Sequence, residues 1–257
     1  MRTDALEIDR FYRSPRGRAA RDMALRRLTA LWPQAKGLDM LGYGFAGAYL
    51  EPYRAEARRT VAYMPAAQGA VGWPKGAASL TALGAEARLP FKEAVFDRVV
   101  LAHALEEAED LRRLLRELWR VTAPEGRIVV IAAHRAGLWA RSESTPFGHG
   151  RPFSRRQLSD LLTGALFEPV AWSRALYAPP WRWACGPKTA SAFEGVGERV
   201  APAFGGLILA EAIKHVGAVR PGGAAERVRR SVLEGAARPA LSPKTKPSHP
   251  AAKDKAP

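Results

Sequence analysis

The stretch "GLDMLGYGFAGAYL", residues 37–50, combines an apolar run with three glycines. The run Leu38–Leu41 predicts a short strand. The glycines follow it in the spacing G-x-G-x-x-G, at Gly42, Gly44 and Gly47. A residue without Cβ lets the backbone turn sharply and approach a ligand closely. Glycine-rich turns are common, so the meaning of this turn depends on the chain that follows it.

The bulk composition excludes several classes of protein. With a single cysteine among 257 residues, the chain has no intramolecular disulfide framework, and this suits a reducing cytoplasm, where we expect the protein to reside. The amino terminus is too charged for a secretory signal. No run of about 18 apolar residues is present, so no membrane span is expected.

The net charge of +15 is concentrated near the ends of the chain. Residues 1–36 hold nine Lys and Arg against four Asp and Glu, and residues 216–257 hold nine against three. Such a balance favours polyanions, so nucleic acid is a candidate partner through the basic termini. The alternative is a solvated basic tail, and the tail lacks the interleaved aromatic residues typical of single-strand binding.

Strand and helix patterns alternate along the chain. The predicted strands are Leu38–Leu41, Thr60–Met64, Leu80–Leu83, Asp97–Ala102, Arg127–Ala132, Phe167–Trp172 and Gly206–His215. The predicted helices are 5–32, Ala46–Arg58, Asp110–Val121 and 155–165, the last capped by Ser154. Pro52 lies inside the second helix and could split it. An irregular aromatic segment is predicted between the last two strands. This order predicts an α/β fold, a Rossmann-like doubly wound and mostly parallel seven-stranded sheet with helices on both faces.

Three regions are expected. Residues 1–36 form a helical extension that packs on the core, residues 37–216 form the α/β domain, and residues 217–257 form a disordered tail rich in Pro, Ala and Lys. Ligands of doubly wound sheets lie beyond the carboxyl ends of the strands. The glycine turn falls at such an end, which makes it a candidate binding site.

Three further stretches carry a family resemblance. They are "LPFKEAVFDRVV" (89–100), "HALEEAEDLRRLLRELWRVTAPEGRIVVI" (103–131) and "FGHGRPFSRRQLSDLLTGALFEP" (147–169). In this order and spacing they resemble the class I methyltransferases that use S-adenosylmethionine, over roughly residues 37–215. The resemblance implies that cofactor and methyl transfer to an oxygen or nitrogen of an unidentified acceptor, expected to be a small molecule.

Two cofactor motifs depart from the family pattern. The family's acid at the end of the second strand is absent, and Met64 and the neutral amide Gln68 stand there instead. The family's acid before the glycines aligns with Met40, and Asp39 is one residue off, so its side chain points to the other face of the strand. A degenerate member of the fold that acts as a binding or scaffold protein is therefore the alternative, and a nicotinamide enzyme is a weaker one.

The resemblance also implies a set of site residues. For the cofactor these are Gly42, Tyr43, Gly44, Gly47, Met64, Gln68, Glu86, Ala87 and His103. The Glu86 carboxylate would accept a hydrogen bond from the adenine amino group, unless it is only an exposed loop acid. Tyr43 would either cover the cofactor or pack on the first helix.

The acceptor side is expected in the loop after the fifth strand. His149 is the candidate general base and His103 the second. The loop also carries His134, Arg135 and Arg151, which suggest an anionic or proton-releasing acceptor, unless Arg–carboxylate pairs merely pin the loop to the domain. One cysteine and scattered histidines predict no metal site. The sequence leaves the oligomeric state open.

Overall fold

The computed structural model describes residues 2–216, which form a seven-stranded sheet with helices packed on both faces. The strands are β1 (Asp39–Gly44), β2 (Arg59–Pro65), β3 (Thr81–Gly84), β4 (Phe96–Ala102), β5 (Thr122–Ala133), β6 (Phe167–Ala175) and β7 (Leu207–Lys214). Their order across the sheet is β3-β2-β1-β4-β5-β7-β6. β7 runs antiparallel to both its neighbours, and the other strand pairs are parallel. The predicted fold class is confirmed.

The helices are α1 (Ala5–Arg13), α2 (Pro15–Leu31), α3 (Gly47–Leu50), α4 (Leu111–Val121), α5 (Arg155–Gly164) and α6 (Pro187–Val200). Helices α1, α2, α3 and α6 contribute to one hydrophobic core, and α4 and α5 contribute to the other. The predicted disordered tail, 217–257, lies outside the described residues.

Alternation along the central strands divides the core between the two faces of the sheet. Met40 and Val100 belong to the core under α1 and α2, whereas Leu41 and Val99 belong to the core under α4 and α5. Successive side chains of a strand point to opposite faces, so a strand covered on both sides is apolar at nearly every position. This burial explains the unbroken apolar runs of the sequence.

Two helix predictions need correction. The single helix expected over 5–32 is two helices, because the chain is extended at Ser14, whose hydroxyl accepts from the Gly17 amide and caps α2. Pro15 then occupies the first turn, where a missing N–H costs nothing. The helix expected over Ala46–Arg58 shortens to α3 and a 3₁₀ turn, Glu51–Tyr53, with Pro52 inside that turn.

The connection between β6 and β7 also differs from expectation. The sequence pattern predicts irregular chain there, but the structure contains α6, flanked by the 3₁₀ turns Arg182–Cys185 and Pro202–Phe204. Small side chains interrupt the apolar periodicity of α6. Its buried positions are Ala190 and Glu194. The helix therefore lacks the apolar stripe by which sequence patterns reveal helices.

The bend after β1 is fixed by close backbone contact with β4. Gly44 has φ +77°, and a Cβ there would lie 2.5 Å from the Ala102 carbonyl oxygen. The next amide, Phe45, donates to that same oxygen at 2.8 Å. A side chain at Gly44 would therefore both strain the backbone and separate the two strand ends.

We predict that Gly44→Ala lowers the free energy of unfolding by at least about 2 kcal/mol, since it combines a left-handed φ with a steric clash. Chemical denaturation measures the change. Gly164→Ala is the matched control, because a Cβ at the end of α5 meets nothing within 4 Å. The control should stay within about 1 kcal/mol of wild type. Equal stability of the two variants would contradict the proposed constraint.

Candidate functional site

The candidate site lies beyond the carboxyl ends of β1, β2 and β4, where doubly wound sheets bind their ligands. The amino-terminal segment enters it. The Arg2 guanidinium is buried, with Nη2 2.8 Å from Glu86 Oε2 and Nη1 3.1 Å from the Ala104 carbonyl oxygen. Arg2 thus joins the loop after β3 to the loop after β4.

Thr3 contacts both the loop after β4 and the loop after β5. Its amide donates to Glu107 Oε2 at 2.8 Å, and its hydroxyl lies 2.9 Å from Glu107 Oε1 and 3.0 Å from His149 Nδ1. His149 Nε2 lies 3.0 Å from the Glu143 carbonyl oxygen. Because the Thr3 hydroxyl donates its single hydrogen to Glu107 Oε1, its contact with His149 Nδ1 can form only with Nδ1 as the donor.

Tyr12 of α1 covers His103 and closes the site. Its hydroxyl lies 2.8 Å from His103 Nε2 and 2.9 Å from the Tyr49 hydroxyl, and its ring stacks on Phe45 with centroids 5.6 Å apart. Burial, with a smaller contribution from nearby His149, lowers the pKa of His103 to about 3. His103 is therefore neutral near pH 7, and its Nε2 shares a hydrogen bond with the Tyr12 hydroxyl in which the imidazole tautomer decides the donor.

The backbone at His103 carries strain. Its φ is +49°, in the left-handed region that a non-glycine residue adopts at a cost of about 1–3 kcal/mol. The residue also accepts at its carbonyl oxygen from Gln68 Nε2, at 3.4 Å. Strained conformations of this kind cluster at functional sites, where surrounding contacts hold them in place.

The other glycines of the turn contact protein side chains. A Cβ at Gly42 would lie 2.8 Å from Leu50 Cδ1, and one at Gly47 would lie 2.9 Å from the Trp73 indole. Gly42 thus allows α3 to approach the sheet, and Gly47 allows Trp73 to cover the turn.

Tyr43 points away from α3 and from both amino-terminal helices. Its ring stacks on Tyr63 in the core under α4 and α5, with centroids 5.9 Å apart. Burial, with a contribution from Glu86, raises the pKa of its hydroxyl. Tyr43 therefore packs on the face of the sheet that α4 and α5 cover. Packing on the first helix, one of its two expected roles, is not observed.

The residues expected near the ribose fill the end of β2. Met64 is buried, and its Sδ lies 3.4 Å from the Val71 amide nitrogen. The Gln68 side chain is buried between the loops after β2 and β4. Ala87 is half-buried beside Glu86. Asp39 lies at the opposite end of β1, where Arg58, hydrogen-bonded to it, and Arg59 lower the pKa of its carboxyl.

The acceptor-side residues are only partly brought together. His103 packs on Phe147, with ring centroids 4.7 Å apart, and His149 lies two residues after Phe147 in the same loop. His134 points elsewhere, with Nδ1 3.0 Å from the Gly205 carbonyl oxygen, and burial lowers its pKa. Arg151 donates to the Ala108 carbonyl oxygen at 2.9 Å, and Arg135 is exposed.

Sequence reasoning missed four residues that occupy this site, namely Arg2, Thr3, Tyr12 and Glu106. Glu106 is buried, accepts from the Ala133 amide at 3.0 Å, and has its pKa raised by that burial. Nothing in the local pattern indicates that residues 2–12 cross the strand ends, because that placement depends on how α1 and α2 pack.

The groups around the candidate site suit a polar ligand, but side chains of the amino-terminal segment fill the site. Three buried polar atoms beside Arg2 and His103 have no hydrogen-bond partner among residues 2–216, namely Tyr43 Oη, Gln68 Oε1 and Glu86 Oε1. Arg2 and Tyr12 occupy the volume between them. An adjoining cleft of about 370 Å³, lined by residues including Asp9, Phe45, Met64 and Trp73, opens on the far side of Tyr12. A nucleoside-sized ligand reaches the polar groups only if the amino-terminal segment moves.

Comparison with known proteins finds a family similarity over part of the domain. Residues 40–130 match the family description "Methyltransferase domain". This stretch, about a third of the chain, is therefore similar to methyltransferase domains. Over 43 residues the chain is 49% identical to a demethylmenaquinone methyltransferase of Streptomyces griseus, which is 17% of this chain and 19% of that protein. The chain thus matches about a fifth of the length of this curated relative.

Solved structures extend the similarity to most of the fold. A methyltransferase of Thermotoga maritima, described as SAM-dependent and a possible histamine N-methyltransferase, aligns with a TM-score of 0.57 at 17% identity, covering 80% of this chain and 93% of that one. A geranyl diphosphate C-methyltransferase of Streptomyces coelicolor, solved with S-adenosyl-L-homocysteine, aligns with a TM-score of 0.53 at 16% identity, covering 74% and 76%. At these identities the similarity shows that the chain shares its fold with both.

Two further findings concern metal binding and membrane-spanning helices. Within residues 2–216, His, Cys, Asp and Glu form no cluster of three or more that could hold a metal ion. No helix in the same range is long and apolar enough to cross a membrane.

We predict that His103 makes the fold sensitive to acid. Its pKa is depressed in the folded state, so the unfolded chain binds an extra proton between about pH 6.5 and 3, and stability falls as the pH is lowered through that window. Between pH 7.5 and pH 5, wild type should lose about 2 kcal/mol more of its unfolding free energy than His103→Asn. Asparagine suits the left-handed φ of this position.

The measurement is urea denaturation at the two pH values, with Tyr12→Phe as control. That variant keeps the buried imidazole and should retain the pH dependence of wild type. Parallel pH profiles for wild type and His103→Asn would show that His103 is not buried as described. Glu106 does not confound the comparison, because all three proteins contain it.

Proposed function

We propose that the chain is an S-adenosylmethionine-dependent methyltransferase that transfers a methyl group to an oxygen or nitrogen of a small acceptor. The observation that carries the proposal is the convergence of the β1 turn, Gln68, Glu86 and His103 at one edge of a methyltransferase domain. Three buried polar atoms at this edge are without partners among the described residues, which supports a polar ligand there.

The proposed roles follow from the chemistry of each side chain. Glu86 would accept from the adenine amino group, and Gln68 would replace the usual acid as the partner of the ribose hydroxyls. A neutral amide is the weaker partner, because charge-assisted hydrogen bonds are about twice as strong. The cofactor supplies a methyl group on a sulfonium, an electrophile that needs little covalent help from the protein. The principal task of the protein is to hold the acceptor in line with it.

His149 is the better candidate for a general base. It is half-buried within the loop after β5, and its ring nitrogens contact Thr3 and Glu143. His103 is a weak base in this conformation, because its pKa of about 3 leaves it little tendency to take a proton at neutral pH. Arg135, Arg151 and His134 are proposed for the acceptor side with less support, since His134 contacts Gly205 instead of the cleft.

Cofactor binding requires the amino-terminal segment to leave the site. Arg2 holds one Glu86 oxygen and the Ala104 carbonyl, and Tyr12 holds His103. A ligand that binds only the open form has an apparent affinity reduced by the fraction of open molecules. Weakening the closed form should therefore tighten binding without any new contact to the ligand.

The alternative is a degenerate methyltransferase fold that serves as a binding or scaffold protein. The missing acid at the end of β2 and the occupied cleft favour it. Nucleic acid through the basic termini is a weaker proposal, because several amino-terminal arginines are engaged within the protein. Arg2 is buried on Glu86, Arg13 pairs with Asp9, and Arg27 pairs with Glu198.

We predict that Arg2→Ala binds S-adenosylmethionine and S-adenosylhomocysteine at least about tenfold more tightly than wild type, because it removes the contact that closes the site. Isothermal titration measures both affinities. Arg10→Ala, an exposed position on α1, is the matched control and should bind like wild type. No heat with either ligand at millimolar concentration, in any of the three proteins, would favour the scaffold alternative.

Glu86→Gln tests the other side of the same contact. In the Arg2→Ala background it should weaken cofactor binding by about tenfold, since the amide is a poorer acceptor for the adenine amino group. Glu109→Gln, on an exposed loop residue, is the control. If Arg2→Ala and wild type bind equally well and Glu86→Gln changes nothing, the cofactor does not occupy the volume now held by Arg2.

A further inference from the structure

The connection between β6 and β7, residues 176–206, exposes an unusual amount of apolar surface. Trp181 is 55% exposed, Trp183 63%, Val196 60%, Val200 77% and Phe204 64%. The two indoles stack with centroids 5.7 Å apart, and the Trp183 ring lies 5.9 Å from that of Phe193. The aromatic pair is therefore continuous with α6. We define the aromatic surface as the apolar residues Trp181, Trp183, Phe193, Val196, Val200 and Phe204.

Helix α6 turns an apolar face outward. At 100° per residue, Val196 and Val200 project from one side and are exposed, and Phe193, partly buried against the core, borders them. Ala190 and Glu194, the buried positions, project from another. Helices on the surface of a globular domain normally direct the apolar side to the core. An outward apolar side indicates a partner for this face.

Cationic side chains border the aromatic surface. Arg182, Lys188 and Arg199 are exposed. The acids of the same segment are already engaged. Glu194 accepts from the amides of Leu176 and Tyr177, and Glu198 pairs with Arg27 at 2.7 Å.

A shallow depression beside Trp181 extends this cationic border. Arg16, Arg141 and Arg182 line it, together with the exposed Leu138 and without an acidic side chain. Both the depression and α6 thus present positive charge next to apolar groups, and this charge is complementary to an anionic partner.

We propose that the aromatic surface binds an anionic lipid bilayer. Exposed indoles and aliphatic side chains partition into the boundary between headgroups and acyl chains, and flanking Lys and Arg contact the lipid phosphates. Single-stranded nucleic acid fits less well, because Val196, Val200 and Leu138 offer no ring on which a base could stack. The segment 217–257 and a second copy of this surface are both disfavoured as covers, because each would bring positive charge against positive charge.

The aromatic surface also adjoins the candidate site. Arg16 Nη1 contacts the Ser144 hydroxyl in the loop after β5 at 3.1 Å and the Pro180 carbonyl next to Trp181 at 3.5 Å. A bilayer bound to the aromatic surface would thus lie next to the loop that carries His149. The lipid proposal itself does not depend on methyl transfer.

The test is flotation of the full chain with vesicles of phosphatidylglycerol and phosphatidylcholine, compared with phosphatidylcholine alone. The charge variant is Arg182→Glu/Lys188→Glu/Arg199→Glu. Its control, Arg112→Glu/Arg113→Glu/Arg116→Glu, makes the same change in net charge on exposed positions of α4. The charge variant should lose at least about tenfold in vesicle affinity, and the control should lose much less.

A second pair of variants tests the indoles. Trp181→Ala/Trp183→Ala should also lose about tenfold in affinity, whereas Trp181→Phe/Trp183→Phe should keep binding but lose the quenching of tryptophan fluorescence by brominated lipid. Circular dichroism confirms that each variant is folded. Leu80→Ala, a partly exposed leucine on the approach to β3, is the control for lost apolar area.

Several results would overturn the proposal. Equal losses for the two charge variants would assign binding to overall charge, and quenching that survives both tryptophan substitutions would place other residues at the bilayer. Tighter binding of a single-stranded oligonucleotide than of vesicles, lost in the alanine variant, would assign the surface to nucleic acid. A dimer in sedimentation that the alanine variant dissociates would assign it to a second copy.

Discussion

The buried Arg2 guanidinium determines whether the cleft at the strand ends of this domain is closed. It carries a full charge into the cleft at the strand ends, where only the Glu86 carboxylate and the Ala104 carbonyl replace its hydration. Desolvation of such a pair offsets much of its Coulomb attraction, so a buried ion pair contributes little net stability, although loss of one partner is costly. A contact of this kind can hold a segment in a defined place and still be displaced by a ligand that offers Glu86 another donor.

Tyr12 and His103 extend the same closure to the loop after β4. The imidazole is kept neutral by burial, is hydrogen-bonded to a tyrosine of the amino-terminal helix, and sits on a strained backbone at the end of β4. Opening the segment would expose His103 to water and raise its pKa toward the ordinary value. Occupancy of the cleft and the protonation behaviour of the site are therefore coupled through a single hydrogen bond.

Much of the architecture could be predicted from local pattern because parallel strands buried on both faces leave a strong signal. The apolar run Asp97–Ala102 and the Ser154 cap both correspond to observed elements, β4 and α5, and the capping box at Ser154 and Gln157 is present. The predictions that needed correction involve elements whose stability comes from packing. The extended residue Ser14 divides one expected helix, and α6 forms on residues whose own periodicity is weak.

The sequence by itself determined the order of the strands along the chain, the bend at Gly44 and the polar groups available near it, because backbone sterics and alternating burial act over a few residues. Only the tertiary structure decided that Arg2, Thr3 and Tyr12 fill the cleft, that Tyr43 packs on Tyr63, that His134 turns toward Gly205, and that the aromatic surface stays exposed. These features join residues far apart in the chain. Their energies depend on which surfaces meet and on how much water each contact excludes, and neither quantity is encoded in local spacing.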